Sequence, residues 1–206
     1  MQSSSAAGLE SPHPIPAHVP PELVHEFDFR TGLGSHPHSS VAALHAGPRV
    51  FFSLVHHNAI DGAGTWVPAD QQSLRDDPAL IPSAVEELFR AYAVVNTNRY
   101  ATRDVDFAGV HIKRGDNVTC STILASRDPH EFDRPNEVIF TRSPNPHNAF
   151  SFGPHRCLGS HLARREISAG IEEWLRVIPS FSVKPGAAIR ASGGGVFSLE
   201  SLPLTW

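Results

Sequence analysis

The densest chemistry in the sequence lies in Ala149-Phe150-Ser151-Phe152-Gly153-Pro154-His155-Arg156-Cys157-Leu158-Gly159. A single cysteine, Cys157, stands between Gly153 and Gly159, directly ahead of a segment with helical apolar spacing. Glycine lacks a Cβ, so the backbone at those positions can pass close to something flat and bulky. A thiolate just before a helix N-terminus is stabilised by the helix dipole and nearby N–H groups, which is what a soft anionic metal ligand needs. The plainer reading of the same residues is a buried structural cysteine in a glycine-rich turn. Upstream, Glu87-Leu88-Phe89-Arg90 places a carboxylate and a guanidinium three residues apart. On a helix they share one face and can pair bidentately.

The elements that must hold these residues follow from periodicity. Residues 1–40 are rich in Pro, His and Ser, and Pro20-Pro21 excludes helix there, so this tail is expected along the surface. Residues 41–46 read as a short helix stopped by Gly47 and Pro48. Residues 49–55 and 65–67 read as a β-hairpin across the glycine-rich turn at 61–64. Residues 83–92 are predicted helical, with Pro82 in the first turn and Glu86 and Glu87 near the positive end of the dipole. Val85, Leu88, Phe89 and Tyr92 would form its apolar stripe. Short strands are predicted at 105–107 and 110–112, on either side of an Ala108-Gly109 turn, and Cys120 is expected in a core strand. Residues 128–147 carry four prolines without periodicity, so they read as a long irregular loop, a feature that is usually functional in a compact domain. Residues 161–178 are predicted as a helix with one buried stripe of Leu162, Ile167, Ile171, Trp174, Leu175 and Ile178, ended by Pro179. Residues 181–183 and 196–199 read as strands around the turn Gly193-Gly194-Gly195.

The cysteine segment resembles the Phe-x-x-Gly-x-His-x-Cys-x-Gly haem-binding loop of the cytochrome P-450 family. Phe150, Gly153, His155, Cys157 and Gly159 all match, and Ser151 stands where the family often has glycine. Glu87 to Arg90 matches the family's Glu-x-x-Arg, in order and upstream of the cysteine. That match implies a structural ion pair of Glu87 and Arg90 tying the helix to the long loop, with Arg142 as third member and Arg134 as the alternative. Residues 161–206, and Ile15 to Pro20 with Phe27-Asp28-Phe29, are similar to the bacterial camphor-hydroxylating branch. The fold this implies is mainly α with small β-sheets (α+β), a partial cytochrome P-450 fold. Residues 1–70 would be its N-terminal tail and hairpin segment, and 71–206 its C-terminal haem-binding part.

The resemblance further implies haem b (heme b, iron protoporphyrin IX) as cofactor, with Cys157 as the axial metal ligand. A cysteine thiolate on haem iron donates electron density that favours O–O cleavage. On this match Arg99 and His155 would bind propionates, Phe150, Gly153 and Gly159 would shape the loop, and Val95 and Val196 would line the substrate pocket. The implied reaction inserts one oxygen atom from O2 into a small apolar, terpenoid-like substrate. Its electrons would come from a 2Fe–2S ferredoxin, for which Arg156 and Arg164 would form a basic docking edge.

The two matching pieces, residues 15–69 and 71–206, are separated in the family by a long central region, and here they abut near Asp70 and Gln71. The central and distal helices are therefore expected to be lacking, with the acid–alcohol pair that relays protons, so no catalytic side chain is assigned. Residues 61–65, Asp61 to Thr65, do not replace that pair, because they fall in the early hairpin. The alternative to an active monooxygenase is a catalytically inactive haem-binding remnant of an internally deleted one, with exposed apolar surface where the missing helices packed. A haem-independent interaction module would require Cys157 and its glycines to be coincidental.

Composition sets the outer bounds. The chain has 206 residues, 40% of them hydrophobic, with twelve Phe, enough for a folded core. A net charge of −4 argues against a nucleic-acid partner. Two cysteines make no disulfide framework, and the absence of Cys-x-x-Cys-His excludes covalent c-type haem. His36, His38, His56 and His57 lack acid or cysteine partners at ligand spacing and read as surface. Asn117-Val118-Thr119 spells a glycosylation sequon without a secretory signal beside it. With no long apolar run, the expectation is a cytoplasmic chain that meets neither membrane nor nucleic acid.

Overall fold

A computed structural model of the chain describes residues 24–28, 52–55 and 68–206, apart from 179, 188–189, 193–195 and 197. The helix expected at 41–46, the strand at 65–67, residues 61–65, the turn at 193–195 and His36, His38, His56 and His57 lie outside those residues. Strands β1 (Val24–Asp28) and β2 (Phe52–Val55) pair in parallel, so the described partner of β2 is β1.

The core forms where three helices meet. Helix α1 (Pro68–Asp76) carries Asp70 in its first turn and Arg75 in its last, both favourable to the dipole. A 3₁₀ turn at Pro78–Leu80, capped by the Asp77 carboxylate accepting from the Ala79 N–H, leads straight into α2 (Ile81–Ala91). The third is α4 (Ser160–Val177). Leu74 of α1, Ile81, Ala84 and Val85 of α2 and Leu175 of α4 are buried together, with Leu80, Phe89, Phe140, Ile171 and Phe181 packed around them. The buried Gln71 amide fastens the chain after α4 to α1, donating to the Phe181 carbonyl at 2.9 Å and accepting from its N–H at 3.2 Å.

Among the described residues the sheets are small and two-stranded. Strand β3 (Asn96–Tyr100) pairs antiparallel with β6 (Asn117–Ser121), and β4 (Val105–Phe107) with β5 (Val110–Ile112). Ala108 and Gly109 turn that hairpin with φ of 49° and 82°, positive at both central positions as a tight hairpin turn requires. A short α3 (Thr122–Ala125) follows, and residues 128–147 form the expected irregular loop. Beyond α4, β7 (Ser182–Val183) pairs with β10 (Leu204–Thr205) and β8 (Arg190–Ser192) with β9 (Ser198–Ser201).

Two expectations are corrected. The α4 stripe is only partly buried: Leu175 is covered and Ile171 half-covered, while Leu162 is 62% exposed and Ile167 and Trp174 about 40%. Among the described residues no further element covers that side, where the Trp174 ring meets Phe181 edge-on at 5.7 Å. Cys120 is exposed rather than core, because among the described residues β6 has β3 as its one sheet partner and no further layer lies over it.

Candidate functional site

The site is organised by two adjacent carboxylates on α2. Glu87 and Arg90 are fully buried, three residues apart, in a bidentate pair: Arg90 Nε donates to Oε2 and Arg90 Nη2 to Oε1, each at 2.8 Å. The Arg142 Nε reaches both Glu87 oxygens at 3.0 and 3.1 Å, the Ile139 N–H donates to Oε1 at 2.9 Å, and Asn145 Nδ2 to Oε2 at 3.1 Å. Arg134, the other candidate third member, is instead exposed and paired with Asp133 and Glu137. Burial alone would raise the Glu87 pKa, but the bonds from Arg90, Ile139 and Arg142 outweigh it and hold the carboxyl below its usual range.

The same guanidinium groups explain how a loop without secondary structure can pack. Arg90 donates to the carbonyls of Ser126, Pro135 and Glu137 at 2.7–2.9 Å, and its guanidinium lies 5.3 Å from the Phe132 ring centre. Arg142 donates to the carbonyls of Asp133, Arg134 and Glu137. Backbone acceptors that a helix or sheet would have satisfied are satisfied by two side chains. The buried Arg127, which sequence reasoning missed, closes the far end of α2 by donating to the Ala91 carbonyl at 2.6 and 3.1 Å. Cations favour that end of a helix.

Glu86, one residue earlier, faces the cysteine segment. Arg164 of α4 grips it bidentately, Nε to Oε1 at 2.5 Å and Nη2 to Oε2 at 2.9 Å, and His147 Nε2 lies 3.0 Å from Oε2. The Arg164 guanidinium stacks 4.7 Å from the Phe150 ring, which meets Phe89 edge-on at 4.6 Å. Burial would raise the Glu86 pKa, yet the bonds from Arg164 and His147 bring it below the usual value. Arg164 therefore does not belong to a free basic edge: its charge is spent internally on Glu86. Glu86 and His147 were not recognised as site residues from sequence, and the adjacent acid beside Glu87 was the only signal for them.

The cysteine loop is built from short backbone bonds. The Cys157 N–H donates to the Phe150 carbonyl at 2.9 Å and Arg156 N–H to Gly153 at 3.0 Å, closing a 3₁₀ turn at Gly153–His155. Gly153 has φ 68°, and Ser151, where glycine is common in the resembling loop, has φ 60°, so a side chain occupies the left-handed region there. Gly159 caps the N-terminus of α4, with the Cys157 sulfur 3.9 Å from where its Cβ would stand. Cys157 itself is exposed, as are Phe152, Leu158 and His155. Arg99 is exposed on β3, opposite Val118, its Nη1 donating to the Asn98 carbonyl at 2.8 Å. Val95 and Val196, far apart in sequence, come together as an isolated antiparallel bridge.

No three His, Cys, Asp or Glu side chains converge as a metal site among the described residues. Cys157 is thus a single soft donor, too few for a bare ion. It suits a metal that brings its own equatorial ligands, as a porphyrin does. No helix among the described residues is long and apolar enough to cross a membrane.

Comparison with known proteins agrees. The family model for cytochrome P450 matches residues 65–196. The chain is 49% identical over 139 residues to probable cytochrome P450 127A1 of Sinorhizobium fredii, covering 68% of this chain and 34% of that protein. It is 39% identical over 140 residues to the biotin biosynthesis cytochrome P450 of Bacillus subtilis, covering 68% and 35%. The solved structure of cytochrome P450 CYP101C1 superposes with a TM-score of 0.64 at 42% identity, over 68% of this chain and 36% of that one. The chain thus spans about a third of the length of the curated relatives it matches. Its mixture of helices and small sheets is part of their fold, and haem b is the cofactor of that family. The matched segment holds both the Glu87–Arg90 helix and the Cys157 loop, and by that match the chain belongs to the cytochrome P450 family.

Proposed function

We propose that this chain carries the thiolate half of a haem monooxygenase, a protein that inserts one oxygen atom from O2 into a small apolar substrate. The observation that carries the reading is the Cys157 loop: an exposed soft donor at a helix N-terminus, with its backbone fixed by the Phe150–Cys157 hydrogen bond and by the Arg164 clamp. Haem b, when bound through a thiolate, supplies oxygen activation. The chain's own residues would hold it: Cys157 on the metal, His155 and Arg99 toward the propionates, and Phe150, Gly153 and Gly159 shaping the loop that carries the cysteine. Val95 and Val196 would border the substrate. A cation and an imidazole facing carboxylates is sound chemistry. The electron donor would be a 2Fe–2S ferredoxin, and with Arg164 engaged, Arg156 is left to favour its approach. A cytoplasmic location goes with that partner.

A second reading, a haem-binding remnant without turnover, is favoured by one observation. The apolar residues Leu162, Ile167, Trp174 and Val177 of α4 stand exposed along the helix that follows the cysteine. A surface of that kind normally marks a missing partner. The reduced, CO-bound absorption spectrum after expression with a haem precursor tests the main reading. A thiolate-shifted Soret band, lost in Cys157→Ala, is expected; no haem uptake, or only a neutral-ligand band, would overturn it. Turnover with added ferredoxin then separates the two readings.

A further inference from the structure

We propose that His147 is the positioning residue of the cysteine loop, and that it holds the loop only as the neutral imidazole with the proton on Nε2. The geometry fixes that tautomer. The Ala149 N–H points at His147 Nδ1 at 3.3 Å, so Nδ1 must be an acceptor, while Nε2 lies 3.0 Å from the Glu86 carboxylate and must donate. The side chain is 3% exposed, so water cannot take over either role. Its ring packs 6.1 Å from Phe150 and 6.2 Å from Phe89. From Ala149 the connection to the ligand is short: the next residue, Phe150, receives the Cys157 N–H on its carbonyl. His147 thus touches the loop where it leaves the irregular segment and couples it to the Glu86–Arg164 clamp.

Protonation would break this arrangement at one atom. An imidazolium has N–H on both nitrogens, so Nδ1–H would confront the Ala149 N–H and the bond that starts the loop would be lost. The bond to Glu86 would survive. The charged groups around the ring are Glu86 and Arg90 from α2 and Arg164 from α4; burial first, then Arg164 and Arg90, hold the imidazole below its usual range against the pull of Glu86. The consequence for Cys157 rests on the haem-thiolate reading above; the hydrogen-bond switch itself does not.

The test uses the full chain with ¹⁵N-labelled histidine, following the His147 ring nitrogens and the Ala149 amide exchange rate by NMR as pH is lowered. Expected are an unprotonated Nδ1 at neutral pH and a rise of about tenfold in Ala149 exchange, relative to its intrinsic rate, as His147 takes its proton, the scale of losing one hydrogen bond. His147→Asn offers Oδ1 where Nδ1 stood and should keep Ala149 protected through the same range. His147→Gln, which keeps only the donor toward Glu86, should leave Ala149 fast at every pH. In haem-loaded wild type the thiolate-shifted CO band should give way to a neutral-ligand band over the same range, and persist in His147→Asn. An Nδ1–H tautomer, or Ala149 exchange indifferent to the titration, would overturn the proposal. A chain that takes no haem would sink the haem reading instead, and the Ala149 amide would still decide this one.

Discussion

Glu86 and Glu87 are neighbours on one helix, yet they hold their loops by different physics. Glu87 has no exposed surface and is surrounded by Arg90, Arg142, Asn145 and the Ile139 N–H. Glu86 is 32% exposed and holds Arg164, itself 27% exposed, with the buried His147. The first is a bolt: its removal strands two buried guanidinium groups without a counter-charge. The second is a clamp, because Arg164 can turn to water when released. A buried ion pair broken on one side costs about 3–5 kcal/mol, whereas a partly exposed pair is worth about 1 kcal/mol. Glu87→Ala should therefore fail to accumulate as folded protein or lose about 3–5 kcal/mol in urea unfolding. Glu86→Ala should fold with a loss of about 1–2 kcal/mol, part of it from the stranded His147. Equal losses would collapse the contrast.

The same contrast should separate along the pH axis. The pKa values of Glu86 and Glu87 are both held below 4.5, so the unfolded chain takes these protons first and stability is lost as pH falls from about 4.5 through the folded values. His147 is lowered from 6.5, and by the same sign its contribution is whole above 6.5 and is lost as pH falls through its own folded value. The urea midpoint plotted against pH should therefore decline in two stages, an upper one from His147 and a lower one from the carboxylates. His147→Asn should remove the upper stage and leave the lower. A single stage in wild type, confined to the carboxylate range, would place the His147 contribution at nothing.

How much of this was legible in the sequence follows from what each residue needs. The Glu87–Arg90 pair and the Cys157 loop were readable because their partners lie within ten residues or match a long motif. The termini of α2 and α4 were readable from apolar spacing and proline. Arg142 is named as third member through the family match, with Arg134 as the alternative, since nothing local tells which of two arginines in an irregular loop turns inward; the structure puts Arg142 on Glu87. Arg164 reads in the sequence as part of a basic docking edge because its partner, Glu86, lies 78 residues away. Arg127 capping α2 across 36 residues left no trace in local pattern for the same reason. The α4 stripe predicted burial because amphipathic spacing states which face seeks cover, not whether cover is present.

The smallest expected effect sharpens the contrast inside the cysteine loop itself. Ser151 and Gly153 have nearly the same φ, 60° and 68°, but only one is a glycine. A side chain in that region costs roughly 1–2 kcal/mol, and replacing it with glycine returns roughly 0.4–1 kcal/mol to the unfolded chain as entropy. Ser151→Gly should therefore stabilise the chain by about 0.5–1 kcal/mol, read as a higher urea midpoint at unchanged slope. Gly153→Ala should lose about 1–2 kcal/mol although its Cβ would meet nothing within 4 Å, so backbone strain alone would be the cause. Combined with Glu86→Ala, the Ser151→Gly gain should add within about 0.5 kcal/mol if the strain belongs to the loop alone. A gain that vanishes in that background would mean the Arg164–Phe150 clamp is what forces Ser151 into the left-handed region, and the loop's shape would then be imposed from α2 rather than held by its own backbone.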